Sequence, residues 1–120
     1  MNKYLKISAI IAFLLGIASA VTGTLVILGM YTPGYPVLVW LVNYNIILGI
    51  VSIFSSVLIW LKKFPALQIA AIISTAHILV FLLLNTLYFD VTAQQSINAM
   101  AMRTFLWLAI LYVLKRSKQY

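Results

Sequence analysis

The chain has 120 residues, of which 65% are hydrophobic and 8% charged, and its formal net charge is +7. A soluble domain carries about a quarter charged residues, so this composition excludes an ordinary water-exposed surface and favours lipid as the solvent. The length indicates a single domain, and the absence of cysteine excludes disulfides and thiolate metal sites.

Four apolar runs are long enough to cross a bilayer, which takes about 20 helical residues. The predicted spans cover about residues 7–30, 37–61, 65–89 and 93–114. Because only short loops separate them, consecutive spans should be antiparallel neighbours. The sequence therefore predicts an all-α protein, an integral membrane bundle of four antiparallel transmembrane helices in one domain.

The first run has a competing interpretation. Basic residues precede it, and Ala18-Ser19-Ala20 resembles the cleavage site of a signal peptide. However, the apolar run continues through Leu28, and a cleaved signal does not need that extension. We therefore favour an uncleaved first span, which ends at the turn residues 31–36.

The limits of the later spans carry recognisable signals. Lys62 and Lys63 close the second span, and Pro65 stands where the third begins, at a favoured first helical position. Thr92, with Gln95 three residues later, is typical of a capping box that opens the fourth helix.

Basic residues indicate the orientation. Seven of the eight lie at the ends of the apolar runs: Lys3, Lys6, Lys62, Lys63, Lys115, Arg116 and Lys118. All seven fall on one side of the membrane if both termini are cytoplasmic, and Asp90 falls on the other. We expect a multi-pass protein of a plasma or inner membrane, and no nucleic-acid partner because no basic face exists.

Small residues recur at helical spacing in the first three spans. They are Ala12, Gly16, Ser19, Ala20 and Gly23 in the first, Asn45, Gly49, Ser52 and Ser56 in the second, and Ala70, Ala71 and Ser74 in the third. In lipid, small residues let helix backbones approach closely, so these stripes should face the bundle interior.

Polar residues in the spans are the candidate functional residues. At 1.5 Å per helical residue, His77 and Arg103 lie about 20 Å above the cytoplasmic edge. The other spans add polar groups at this height or nearer the outer edge, which defines an outer-half polar layer. The candidate ligand-binding residues of this layer are Thr22, Tyr44, Asn45, His77, Asn85 and Arg103.

Arg103 and His77 each allow a structural and a functional interpretation. Arg103 extends to the outer headgroups or pairs with Asp90, or else it holds a lipid phosphate, a quinone carbonyl or another anion in an outward-open cavity. His77 bonds to a hydroxyl or amide across a helix interface, with Ser74, Asn85 and Asn45 as candidates, or has a proton-linked or quinone-contacting role.

Catalysis has little support, because Asp90 is the sole carboxylate side chain and cannot supply both a general acid and a general base. A single histidine likewise supplies one ligand to a metal or haem, so we expect no cofactor and no metal. The protein is expected not to be an enzyme.

Two function classes remain. The one we favour from the sequence is a non-enzymatic accessory or structural subunit that buries its small-residue faces against a larger membrane complex. The alternative is a small oligomeric transporter, channel or binding protein with an outward-facing polar cavity around Arg103 and His77. Its partners would be the lipid bilayer, a second copy or other membrane subunits, and a lipid or quinone ligand.

Overall fold

A computed structural model describes residues 3–32, 34, 38–63, 65–88, 90 and 94–117. This part of the chain is all-helical and contains four helices, each long and apolar enough to span a membrane. They are α1 (Lys3–Ile27), α2 (Val39–Trp60), α3 (Pro65–Asn85) and α4 (Gln94–Arg116).

The helix limits follow the apolar runs to within a few residues. Helix α4 ends at Arg116, past the predicted limit at 114, while α1 and α3 end at Ile27 and Asn85, before the predicted limits at 30 and 89. Helix α1 begins at Lys3, ahead of the apolar run, and Pro65 is the first residue of α3 as the sequence predicts. The predicted capping residue Thr92 lies outside the described residues, as do the predicted span limits at positions 37, 89 and 93.

Helix α1 ends in a Schellman motif. The N–H of Gly29 donates to the carbonyl of Val26 at 3.1 Å, and the N–H of Met30 donates to that of Leu25 at 2.9 Å. Gly29 adopts a φ of 74°, a left-handed conformation that glycine reaches without a Cβ clash. This cap satisfies the last carbonyls of α1 and ends the helix before the connection to α2.

Each helix packs against the next one in the chain, and α4 returns to α1. Two clusters of buried apolar residues show that neighbours run in opposite directions. The basic-end cluster comprises Leu5, Ala9, Ala12, Ile59, Ala66, Ala70, Ile73, Trp107, Ile110 and Leu114. The Asp90-end cluster comprises Leu41, Val80, Leu84, Ile97 and Met100. The start of one helix therefore lies beside the end of its neighbour.

Helices α1 and α2 are in backbone contact through glycine. A Cβ on Gly49 would lie 2.8 Å from the backbone oxygen of Gly16 and 2.8 Å from the backbone nitrogen of Ala20. A Cβ on Gly23 would lie 2.6 Å from the side chain of Ile46 and 3.4 Å from the backbone oxygen of Val42. The small residues predicted to face the bundle interior do so, since each of them is buried or half-buried.

Large apolar side chains cover the outside of the bundle. Ile50 of α2, Ile72 of α3 and Phe105 of α4 are 58%, 66% and 71% exposed, and α1 has similar exposed side chains. The longest extent of the bundle is 43 Å, which is comparable with the full thickness of a bilayer, about 40–45 Å including headgroups.

Candidate functional site

Arg103 lies on the inward side of α4 and bonds across the bundle to α2. Its Nη1 donates to Oδ1 of Asn45 at 3.2 Å, and both side chains are half-buried. Asn45 was not among the partners that the sequence suggested for Arg103. The bond orients the guanidinium, and Asn45 itself adds no opposite charge, because the amide oxygen of asparagine is neutral.

This pair borders a cavity between α1, α2 and α4, near the end of the bundle that carries Asp90. Its volume is about 90 Å³, and its lining residues are Ser19, Thr22, Gly23, Val26, Leu38, Leu41, Val42, Asn45, Ser96, Ala99 and Arg103. Three predicted site residues therefore meet here, Thr22, Asn45 and Arg103, one from each of the three helices.

Hydroxyl groups complete the polar part of the lining. Ser19 is only 7% exposed, and its hydroxyl makes no hydrogen bond within the described part of the chain, although it borders the cavity. Ser96 was missed as a candidate. It lies seven residues before Arg103, which is about two helical turns on the same face, and that spacing was the available signal.

His77 and Tyr44 form a second polar pair, which links α3 to α2. The Tyr44 hydroxyl lies 2.7 Å from Nδ1 of His77, and the two rings meet edge to face with centroids 5.7 Å apart. His77 is 3% exposed. This contact supports the structural interpretation of His77, with Tyr44 as the partner in place of Ser74, Asn85 or Asn45.

The Tyr44–His77 pair lies outside the cavity. His77 instead borders a void of about 10 Å³ that it shares with Asn45, Ser52, Arg103 and Trp107. A void needs about 10–15 Å³ to hold one water molecule, so this space is too small for a ligand. His77 therefore lies next to the Arg103–Asn45 pair across this void and does not line the cavity.

Asn85 is the one predicted site residue that the structure does not bring near this group. It is exposed, and its Nδ2 donates to the carbonyl of Phe81 in its own helix at 2.8 Å. The Asn85 amide therefore makes its hydrogen bond within α3. No contact with the other five predicted site residues supports its predicted place in the site.

Removing the Tyr44 hydroxyl tests the structural interpretation of His77. We expect Tyr44→Phe to lower the free energy of unfolding by about 1 kcal/mol, because an intramolecular hydrogen bond contributes about that much. Unfolding in mixed micelles titrated with sodium dodecyl sulfate, followed by circular dichroism, measures the change. Tyr112→Phe is the matched control, since that side chain is 62% exposed. Equal effects of the two variants would contradict the interpretation.

Comparison of the chain with family models, with curated proteins and with solved structures finds no match. The functional argument therefore depends on the residues and their geometry alone.

Proposed function

We propose that this is a multi-pass integral membrane protein that binds an anionic group in the cavity between α1, α2 and α4. The observation that carries the proposal is Arg103, a charged side chain in the middle of an apolar helix, held by Asn45 at a polar cavity. Arginine deep in a membrane helix costs about 2.5–3.5 kcal/mol on insertion scales, so it marks a functional site by default.

Placement in a membrane is supported by the outside of the bundle. Apolar side chains such as Ile50, Ile72 and Phe105 are exposed on the helix surfaces, and water would not tolerate so much contiguous apolar area. Lipid tails would solvate the same surface at no cost. The helices have 21 to 25 residues, and at 1.5 Å per residue each covers a hydrocarbon core of about 30 Å.

The orientation that we propose places both termini in the cytoplasm. Lys3, Lys6, Lys63 and Arg116 belong to the end of the bundle formed by the start of α1, the α2–α3 turn and the end of α4. Basic residues accumulate on the cytoplasmic side of membrane proteins. The cavity, near the opposite end, would then open outward.

The electrostatics of the cavity favour an anion. The lining residues include one charged side chain, Arg103, and no carboxylate. The first turns of α2 and α4 also lie at this end, with Leu38 and Ser96 at the cavity. The N-terminus of a helix carries a partial positive charge, and no side chain caps α2 at Leu38. The N-termini of α2 and α4 therefore add to the attraction that Arg103 exerts on an anion in the cavity.

The accessory-subunit interpretation loses part of its basis, although it stays a prediction. It depended on small-residue faces that a partner would cover. Gly16, Gly23 and Gly49 are instead buried between α1 and α2 of the same chain. A binding role therefore has the stronger structural argument, and with a single carboxylate side chain in the chain we propose no catalytic step.

Cysteine labelling tests this proposal, and the natural chain has no cysteine to remove. We expect Ser96→Cys, at the cavity, to react with a membrane-impermeant thiol reagent applied from outside the cell. Lys63→Cys should react only from the cytoplasmic side. Phe105→Cys, which would face lipid, should react from neither side, because a thiol in hydrocarbon remains protonated and meets no reagent.

Three results would contradict the proposal. Reaction of Ser96→Cys only from the cytoplasm would reverse the orientation. An inert Ser96→Cys beside a reactive Gly34→Cys, whose residue lies in the α1–α2 connection, would show that the cavity is closed to water. A soluble, detergent-independent protein would contradict the membrane placement itself.

A further inference from the structure

The cavity occupies a gap in the packing of α1. At the basic end, α1 contributes Leu5, Ala9 and Ala12 to the buried cluster. The Asp90-end cluster contains described residues of α2, α3 and α4 only. In this half of the bundle, α1 packs on α2 through Gly16 and Gly23, and the polar cavity replaces an apolar contact between α1 and α4.

The rim of the cavity is formed by residues of α1 and α4. Thr22 of α1 is exposed, and Val26 of α1 with Ser96 and Ala99 of α4 are half-exposed. All four line the cavity. The opening therefore lies between α1 and α4 near the Asp90 end, where Ser96 stands in the first turn of α4. In the proposed orientation it meets both the outer headgroup region and the side of the bundle, so an aqueous reagent reaches Ser96 from outside and a lipid enters from the bilayer.

The lining suits a group with several acceptor oxygens attached to an apolar body. The guanidinium of Arg103 carries five N–H donors in a planar fork that matches phosphate oxygens. The hydroxyls of Ser19, Thr22 and Ser96 and the amide of Asn45 surround the same space. Ser19 is buried and lines the cavity, and its hydroxyl has no hydrogen bond within the described ranges, so it is available to a group bound there.

The size of the cavity limits what enters it. Pockets for drug-sized molecules measure about 300–1,000 Å³, whereas this cavity measures about 90 Å³. A water molecule needs about 10–15 Å³ of such space, so the cavity is several times larger than one water. It is large enough for a single tetrahedral anionic group and far smaller than a pocket that encloses a whole lipid or a whole quinone with its side chain.

We infer that the cavity takes the phosphodiester group of a glycerophospholipid, which enters sideways between α1 and α4 while its acyl chains stay in the bilayer. The inference rests on the proposed function, in which the cavity binds an anionic group. The apolar lining residues Val26, Leu38 and Leu41 contact the glycerol region of the lipid, and Arg103 binds the phosphate with Ser19 and Asn45.

The test is lipid binding to the detergent-solubilised full chain, measured by native mass spectrometry. The probes are phosphatidylglycerol, diacylglycerol, which lacks the phosphate, and inorganic phosphate as a competitor. We expect phosphatidylglycerol to bind at least about tenfold more tightly than diacylglycerol, and Arg103→Gln to weaken it by about tenfold or more, as expected for hydrogen bonds to a charged group. Arg116→Gln, at the basic end, is the matched control and should change the affinity less than twofold.

A second variant keeps the test independent of Arg103. Ser96→Leu fills the rim of the cavity from α4 and leaves the Arg103–Asn45 bond untouched, so it should also weaken phosphatidylglycerol by about tenfold, as expected for a steric block in a small pocket. Thermal unfolding of each variant in the same detergent shows whether the bundle is intact. Loss of binding in both intact variants, with no loss in Arg116→Gln, supports the inference.

The remaining outcomes separate the inference from the proposed function. Arg103-dependent binding of inorganic phosphate without retention of lipid would overturn the lipid assignment and leave the anion site. Equal binding of diacylglycerol and phosphatidylglycerol would show that acyl chains alone are recognised. If intact Arg103→Gln and Ser96→Leu bind phosphatidylglycerol and inorganic phosphate as the natural chain does, both the inference and the proposed function are wrong.

Discussion

Replacing Gly49 by alanine is expected to lower the free energy of unfolding by about 1–3 kcal/mol, the usual cost of inserting a methyl group into a closely packed site. The new Cβ would lie 2.8 Å from two backbone atoms of α1, the oxygen of Gly16 and the nitrogen of Ala20. Backbone atoms cannot rotate away as a side-chain end does, so α1 and α2 must separate. Gly49→Leu should separate them further and cost more.

The measurement is unfolding in mixed micelles titrated with sodium dodecyl sulfate. Gly34→Ala is the matched control, because a Cβ at Gly34 meets nothing within 4 Å; it should change stability by less than about 0.5 kcal/mol. Gly16→Ala should behave as Gly49→Ala does, since its Cβ would lie 2.6 Å from the backbone oxygen of Gly49. A Gly49→Ala variant as stable as Gly34→Ala would mean that α1 and α2 are not in backbone contact.

The four helices could be predicted because the length of each apolar run in the sequence is the length of the helix that it forms. The start of α3 at Pro65 and the burial of Gly16, Gly23 and Gly49 were also readable, since each depends on local chemistry or on spacing along one helix. The height of a residue along its helix axis is equally local, and it predicts that Arg103 and Asn45 lie at similar heights.

The partners across the bundle could not be read in the same way, because they depend on the rotation of each helix about its axis. Tyr44 and Asn45 are adjacent in sequence but about 100° apart around α2. One therefore faces His77 of α3 and the other faces Arg103 of α4. No pattern within α2 alone indicates which neighbour each side chain meets.

Asn85 also shows that the position of a side chain around its helix decides which residues it meets. It lies eight residues after His77, and eight steps of about 100° leave it about 80° away from His77 around α3. Its amide therefore reaches the carbonyl of Phe81 in its own helix. The prediction that Asn85 shares a face with His77 is therefore not supported, whereas Ser96 shares a face with Arg103 and belongs to the cavity.

Replacing Arg103 by leucine is expected to improve the membrane insertion of α4 by about 3–4 kcal/mol, because arginine costs about 2.5–3.5 kcal/mol at a helix centre and leucine is favourable by about 0.3–0.6 kcal/mol. A glycosylation-mapping assay, with residues 94–116 as the test segment, measures the change as a shift in the inserted fraction. The same variant should lose anion binding. Insertion and binding therefore move in opposite directions at one residue.

Arg116→Leu is the matched control, since it makes the same chemical change in the last turn of the same helix. An arginine at that position reaches the headgroup region, so its removal should improve insertion by less than about 1 kcal/mol. Equal shifts at the two positions would show that the Arg103 side chain also reaches water or headgroups, which would remove the reason to assign it a function.

A large shift at Arg103 alone would show that this charge makes the insertion of α4 into the membrane less favourable. The cavity with Asn45 and Ser19 is then the structural explanation for keeping that charge in place.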